Sequence, residues 1–163
     1  MWIFLILLIF FLINDSIQLM GMRSTTSKLK KSIKLAVISD FHNTNADIVL
    51  RHIQKINPDA ILMPGDIVDE NYSMKSTEKL LKGLLPWPVY FVSGNHEYKK
   101  GRTYSDFSQM QKLLNEYHVI SVDNDYRVVE LKGQKIWIGG IQDHCSDKTK
   151  DPDDLDHKNI KSV

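Results

Sequence analysis

Three stretches of the chain carry an apolar run straight into side chains that bind cations. Leu35-Ala36-Val37-Ile38 leads into Ser39-Asp40-Phe41-His42, Ala60-Ile61-Leu62 into Met63-Pro64-Gly65-Asp66-Ile67-Val68-Asp69, and Val89-Tyr90-Phe91-Val92 into Ser93-Gly94-Asn95-His96-Glu97. Asp, His and Asn offer oxygen and imidazole ligands suited to Zn²⁺, Mn²⁺ or Fe. A carboxylate leaving the end of a buried strand is costly unless it meets a cation. Asp40 and His42, two residues apart on an extended loop, can face one ion. The two oxygens of Asp66 can bridge two ions, and Asn95 offers a neutral carbonyl oxygen to the second. Two ions about 3.5–4 Å apart clamp a phosphoryl group and bring the pKa of a bridging water near neutrality. His96, next to a ligand, can lie beside the bound phosphate and protonate a leaving oxygen or stabilise developing charge. Asp69, three residues past Asp66, is placed to orient a ligand such as His42.

Each motif alone is weak. Asp-x-His is common, Gly-Asp after a strand is an ordinary turn, and Gly-Asn-His reads as another. Their conjunction, each after an apolar strand and in this order, points to one shared metal site.

The elements that would position these residues form an α/β pattern. Ile33 to Ser39, Ala60 to Met63 and Val89 to Val92 read as buried strands. Asn45 to Ile56 has helical spacing at Ile48, Val49, Ile53 and Ile56, with Asn45 as its cap. Ser76 to Leu85 is a second helix with Leu80, Leu81, Leu84 and Leu85 on its apolar face, stopped by Pro86-Trp87-Pro88. Tyr104 to Tyr117 is a third, with a stripe of Phe107, Met110, Leu113, Leu114 and Tyr117. Val119 to Val122 is a short strand. Asn124-Asp125 is a turn, and Arg127 to Leu131 and Lys135 to Ile141 flank a hairpin turn at Lys132-Gly133-Gln134. Alternating strands and helices imply a largely parallel sheet, whose ligands bind beyond the carboxyl ends of the strands. Asp40, His42, Asp66, Asn95 and His96 all fall on that rim. His52 and His118 fall elsewhere, as surface or helix-packing residues.

The composition is that of an ordinary globular domain, with 25% charged and 42% hydrophobic residues in 163. A net charge of +1 gives no general push toward a nucleic-acid partner or toward acidic partners. The lone Cys145 excludes an internal disulfide. The N-terminus departs from the average. Trp2 to Ile13 is unbroken apolar sequence, and Trp2 to Met22 is long enough to span a bilayer. Asp15 would cost roughly 3 kcal/mol at mid-helix, against roughly −0.5 for each Leu, Ile or Phe. The sum favours insertion. Residues 1–22 are therefore expected to be a hydrophobic membrane anchor, 23–32 a linker and 33–163 a partial catalytic domain. Arg23, Lys28, Lys30, Lys31 and Lys34 would keep that domain on the cytoplasmic side.

Taken together, Ser39-Asp40-Phe41-His42, Gly65-Asp66-Ile67-Val68-Asp69 and Gly94-Asn95-His96-Glu97 resemble the calcineurin-like metallophosphoesterase superfamily, and most closely its membrane-anchored bacterial branch. Asp40 to Asn43, Pro58 to Ile61 and Gly139-Gly140-Ile141-Gln142-Asp143 carry the resemblance to that branch. It implies the N-terminal half of a four-layer αββα sandwich, mostly parallel sheet plus a hairpin. It also implies a phosphomonoesterase or phosphodiesterase acting on a phosphoester substrate with two divalent ions (Mn, Zn or Fe) and a metal-bridged hydroxide. Asp40 and His42 would hold the first metal, Asp66 would bridge, Asn95 would hold the second and His96 would contact phosphate. Two departures stand out. Glu70 replaces the Arg that many members carry after the second motif, and the later Gly-His and Gly-His-x-His motifs are absent. His144 and His157 do not follow a Gly after an apolar strand. The competing expectation is a truncated, catalytically incompetent metal- or phosphate-binding remnant.

Overall fold

A computed structural model describes residues 30–68, 74–98 and 104–142. Trp2–Met22, Asp69, Cys145, His144 and His157 lie outside the described residues. The chain divides between Lys30 and Lys31 into two compact units, and every element below belongs to the second.

Strand β1 (Leu35–Val37) is followed by helix α1 (Ala46–Ile56), β2 (Ala60–Met63), α2 (Lys75–Leu84) and β3 (Val89–Phe91). Then come a single turn, α3 (Asn95–Tyr98), helix α4 (Tyr104–Glu116), β4 (Ile120–Ser121), and the hairpin of β5 (Asp125–Leu131) and β6 (Gln134–Gly140). Local chemistry sets the ends of α1. The Asn45 side chain accepts the Asp47 N–H at 3.0 Å, satisfying one of the orphan donors of the first turn. Asn57 takes a left-handed φ of 46° and donates its N–H to Ile53 O at 2.8 Å, closing the last turn.

The first four strands form one parallel sheet in the order β1-β2-β3-β4. Leu35 is in register with Ala60, Ile61 with Val89 and Tyr90 with Ile120. Period-2 alternation splits the apolar residues between two faces. On one face Ala36, Ile38, Ile61, Met63, Val89 and Phe91 pack with Ile53 of α1, Leu80, Leu81 and Leu84 of α2, and Met110 and Leu114 of α4. On the other, Ala60, Leu62, Tyr90, Val92 and Ile120 meet Val129, Leu131, Ile136 and Ile138 of the hairpin. Lys132 and Gly133 close that hairpin with φ of 54° and 72°, the twist-compatible geometry of a two-residue turn. The described residues thus form helices on a mostly parallel sheet on a hairpin.

Two expectations change. The run Leu35 to Ile38 is not buried throughout: Leu35 is 44% and Val37 63% exposed. β1 is an edge strand, and the hairpin residues cover the middle of the sheet rather than its β1 side. Leu85 lies past the end of α2 and is 48% exposed rather than part of the buried face. The side chain of Phe107 lies outside the described residues. His52 is exposed, with Nδ1 2.8 Å from Ile48 O in its own helix, and His118 is exposed in the turn after α4. Among the described residues no helix is long and apolar enough to cross a membrane.

Candidate metal centre

The three loops leaving β1, β2 and β3 emerge at the same end of the parallel sheet and are stitched together just beyond it. Ile38 N–H reaches Leu62 O at 2.9 Å, and His42 N–H reaches Asp66 O at 3.1 Å. Val92 N–H reaches Met63 O at 3.1 Å on the other side. The loops turn sharply. Asp40, His42, Asn43 and Asp66 have positive φ of 52°, 44°, 54° and 54°. Asp, Asn and His tolerate this region better than other side chains, but such positions still cost about 1 kcal/mol or more each and persist where the surroundings over-determine them. Their concentration at one rim is a mark of a functional site.

Gly65 and Gly94 let the second and third loops touch. A Cβ on Gly65, which has a φ of 82°, would sit 2.3 Å from Gly94 N. A Cβ on Gly94 would sit 2.4 Å from Asp66 Oδ1. No other residue fits either place without moving backbone or the Asp66 carboxylate.

A reciprocal pair of carboxylates locks that approach. Glu97, 3% exposed, accepts N–H bonds from Gly94 at 2.8 Å, Asp66 at 2.9 Å and Ile67 at 3.0 Å. In return Asp66 Oδ1 accepts the His96 N–H at 2.9 Å. Burial pushes the Glu97 carboxyl above its ordinary value, with the nearby Asp66 charge adding to the rise, while the three N–H groups pull it back. Glu97 was not among the residues expected to serve the site. Its signal was an acid placed directly after Asn95-His96, but two of its three partners lie about 30 residues away in sequence.

Ligand atoms of His42, Asp66 and His96 all lie within 4.8 Å of one another. The His42 and His96 rings meet edge to face, with centroids 4.5 Å apart at 80°. Asp40 stands beside this group with Oδ1 3.7 Å from His42 Nε2, its side chain 65% exposed. Ser39 Oγ donates to its other oxygen. Asn95 opens α3, half-buried. The five residues expected at the rim are thus all on it, and His42, Asp66 and His96 converge on one point. His96 joins the donor group itself, whereas Asp40 stands outside it. Asp69 lies outside the described residues. His96 Nδ1 is buried with no hydrogen-bond partner among the described residues. A buried ring nitrogen of that kind is costly unless it meets an ion or ligand. Two imidazoles and a carboxylate suit a divalent transition metal, so the donor set fits one.

The family model described as calcineurin-like phosphoesterase matches residues 33–161. An uncharacterized metallophosphoesterase of Bacillus subtilis (strain 168), YkoQ, is 26% identical over 128 residues, covering 74% of this chain and 47% of that protein. A transmembrane protein with metallophosphoesterase domain from Bos taurus is 31% identical over 102 residues, covering 58% of this chain and 22% of that one. An uncharacterized metallophosphoesterase of Helicobacter pylori (strain J99 / ATCC 700824) is 29% identical over 137 residues, covering 76% and 33%. The chain spans less than half the length of each of these relatives.

Proposed function

The chain belongs to the calcineurin-like phosphoesterase family, and we propose that it is a metal-dependent phosphoester hydrolase working at the rim of the parallel sheet with two divalent ions. One observation carries the reading: side-chain atoms of His42, Asp66 and His96, brought from three separate loops, lie within 4.8 Å of one another, so two metal-binding groups and the histidine that would face the phosphate meet at one point. Asp40 and His42 would hold the first ion, Asp66 would lie between the two, and Asn95 would hold the second. When bound, the ions supply an acidified water and neutralise phosphoryl charge.

The protein's own groups do the rest. Asp66 keeps one oxygen on the His96 N–H, so this residue, which would also hold metal, sets where His96 stands. His96 donates a hydrogen bond to a phosphoryl oxygen or a proton to the leaving oxygen. Asp69 would orient a ligand such as His42. The Glu97 carboxylate holds the two loops together without facing the substrate.

The test is hydrolysis of bis(p-nitrophenyl) phosphate with added Mn²⁺, comparing the unaltered chain with Asp66→Ala, and metal content of the purified protein. Turnover lost in Asp66→Ala supports the reading, and equal rates overturn catalysis. A second reading, metal or phosphate binding without turnover, is favoured by one feature. Of the three converging residues among the described ones, His42 and Asp66 alone are assigned to the ions, and Asp40 stands outside the group. Stoichiometric metal uptake with no hydrolysis would decide for it.

Trp2–Met22 anchors the chain in a membrane in this proposal, with 23–32 as tether and the Lys-rich stretch after the anchor holding the domain on the cytoplasmic side. One relative is named as a transmembrane protein. Carbonate-resistant membrane association, abolished by removing residues 1–22, tests it.

A further inference from the structure

The loop bearing Asn95 and His96 is held toward β2 by Glu97. On its other side it is gripped by a residue outside all three motifs. Asp123, just past β4, accepts the Ser93 N–H on Oδ1 at 2.6 Å and the Ser93 hydroxyl on Oδ2 at 2.9 Å. Ser93 is 2% exposed, and β3 ends two residues earlier at Phe91. Its two donors therefore lie beyond the sheet ladder and out of reach of bulk water.

Asp123 is itself fixed from two directions. Val122 N–H bonds Phe91 O at 2.8 Å, and Asp123 bridges to Gly140 at the end of β6. The next residue, Asn124, exchanges amide bonds with Gln142: its Nδ2 donates to Gln142 Oε1 at 2.8 Å, and its Oδ1 accepts the Gln142 N–H at 3.2 Å. Asp123 is thus a rigid grip between the parallel sheet and the hairpin.

We propose that Asp123 is a positioning residue for the candidate metal centre, setting the height of Ser93 and, through it, of Asn95 and His96; the assignment rests on the metal-centre reading above. Only Gly94 separates Ser93 from Asn95. Gly94 is itself held, with its N–H on Glu97 at 2.8 Å and its Cα facing Asp66 Oδ1 with no room for a methyl group. With both loop flanks held by carboxylates, Glu97 on Gly94 and Asp123 on Ser93, a change at either flank is passed on to His96. Losing Asp123 leaves two buried donors unpaired, and the loop would move to satisfy them.

The test compares the unaltered chain with Asp123→Ala, Asp123→Asn and a control, Asp59→Asn, at the opposite end of β2. Two measurements are made at a temperature where all are folded by circular dichroism. The first is the amide ¹H–¹⁵N spectrum of the metal-free chain, and the second is Mn²⁺ affinity by titration calorimetry. In Asp123→Ala the Gly94, Asn95 and His96 amides shift or broaden and Mn²⁺ binds about tenfold more weakly, or worse, as when a partner of a ligand is lost. Asp123→Asn keeps one acceptor oxygen for the Ser93 N–H and recovers most of both effects, and Asp59→Asn moves neither. Unmoved amides at 94–96 in Asp123→Ala overturn the positioning role. An unaltered chain that takes up no Mn²⁺ overturns the metal reading alone, because the metal-free spectra still decide whether Asp123 sets the loop.

Discussion

Replacing Glu97 with Gln tests how the site is held. The carboxylate serves three N–H donors, with Oε2 taking those of Asp66 and Gly94 and Oε1 that of Ile67. A Gln amide has one oxygen. Its best orientation keeps that oxygen on the Asp66 and Gly94 donors and turns its NH₂ toward the Ile67 N–H. One charge-assisted bond, about 1.5–3 kcal/mol, is then lost outright, and the two retained bonds weaken by about half on losing the charge. Against this, Gln removes the desolvation cost that raises the Glu97 carboxyl. The net expectation is a loss of about 2 kcal/mol. For a domain this size that lowers the melting temperature by about 6–10 °C. Thermal unfolding of the metal-free chain at neutral pH measures it. The same variant should bind Mn²⁺ about tenfold more weakly, since the bond on the Asp66 N–H is weakened and the one on the adjoining Ile67 N–H is lost. A melting temperature within 2 °C of the unaltered chain (about 0.5 kcal/mol) would refute the reasoning, because a carboxylate contributing so little could not be what joins the loops.

Two further outcomes follow from the geometry. Gly94→Ala puts a methyl group 2.4 Å from Asp66 Oδ1, so the carboxylate must move, and Mn²⁺ affinity measured by calorimetry should fall about tenfold or more. Asp59, at the far end of β2, is hydrogen-bonded by the Lys132 ammonium and the Lys34 N–H, which hold its carboxyl below the ordinary value of 3.8. A depressed folded-state value means its stabilisation is present above the unfolded pKa and lost as pH falls through the folded one. A ¹³C titration of Asp59 should therefore show a midpoint under 3.8 that returns upward in Lys132→Met.

The fold was legible where local chemistry decides it. Asn45 capping α1, the apolar run Ala60 to Met63 and the Lys132-Gly133 turn all carry their cause within a few residues. The exposure of Leu35 and Val37 was not, because whether an apolar strand is central or at an edge depends on strand order, which no local pattern encodes. The rim residues Asp40, His42, Asp66, Asn95 and His96 were legible because a parallel sheet gathers its strand ends on one side. Glu97 and Asp123 were not. Each is an acid with donors about 30 residues away on another loop, and only the close approach of Gly65 to Gly94 reveals why Glu97 is buried there.

The loops of the centre are joined by hydrogen bonds between protein groups, and this bears on how metal and folding are coupled. Asp66 already spends one oxygen on His96 N–H, and Glu97 already joins the two loops. These bonds, with His42 N–H on Asp66 O at 3.1 Å, predict that His42, Asp66 and His96 are held near one another whether or not an ion is bound. In small domains folded by their metal, the ligands come together only on binding, and chelators unfold them. Here chelation should leave the far-ultraviolet circular dichroism unchanged. It should remove only the mass-action term, about 2.7 kcal/mol for an ion present at 100 times its dissociation constant. Loss of helical and strand signal on adding a chelator would mean that the ion, and not the Glu97–Asp66 pair with the His42 N–H bond to Asp66 O, draws the three loops together.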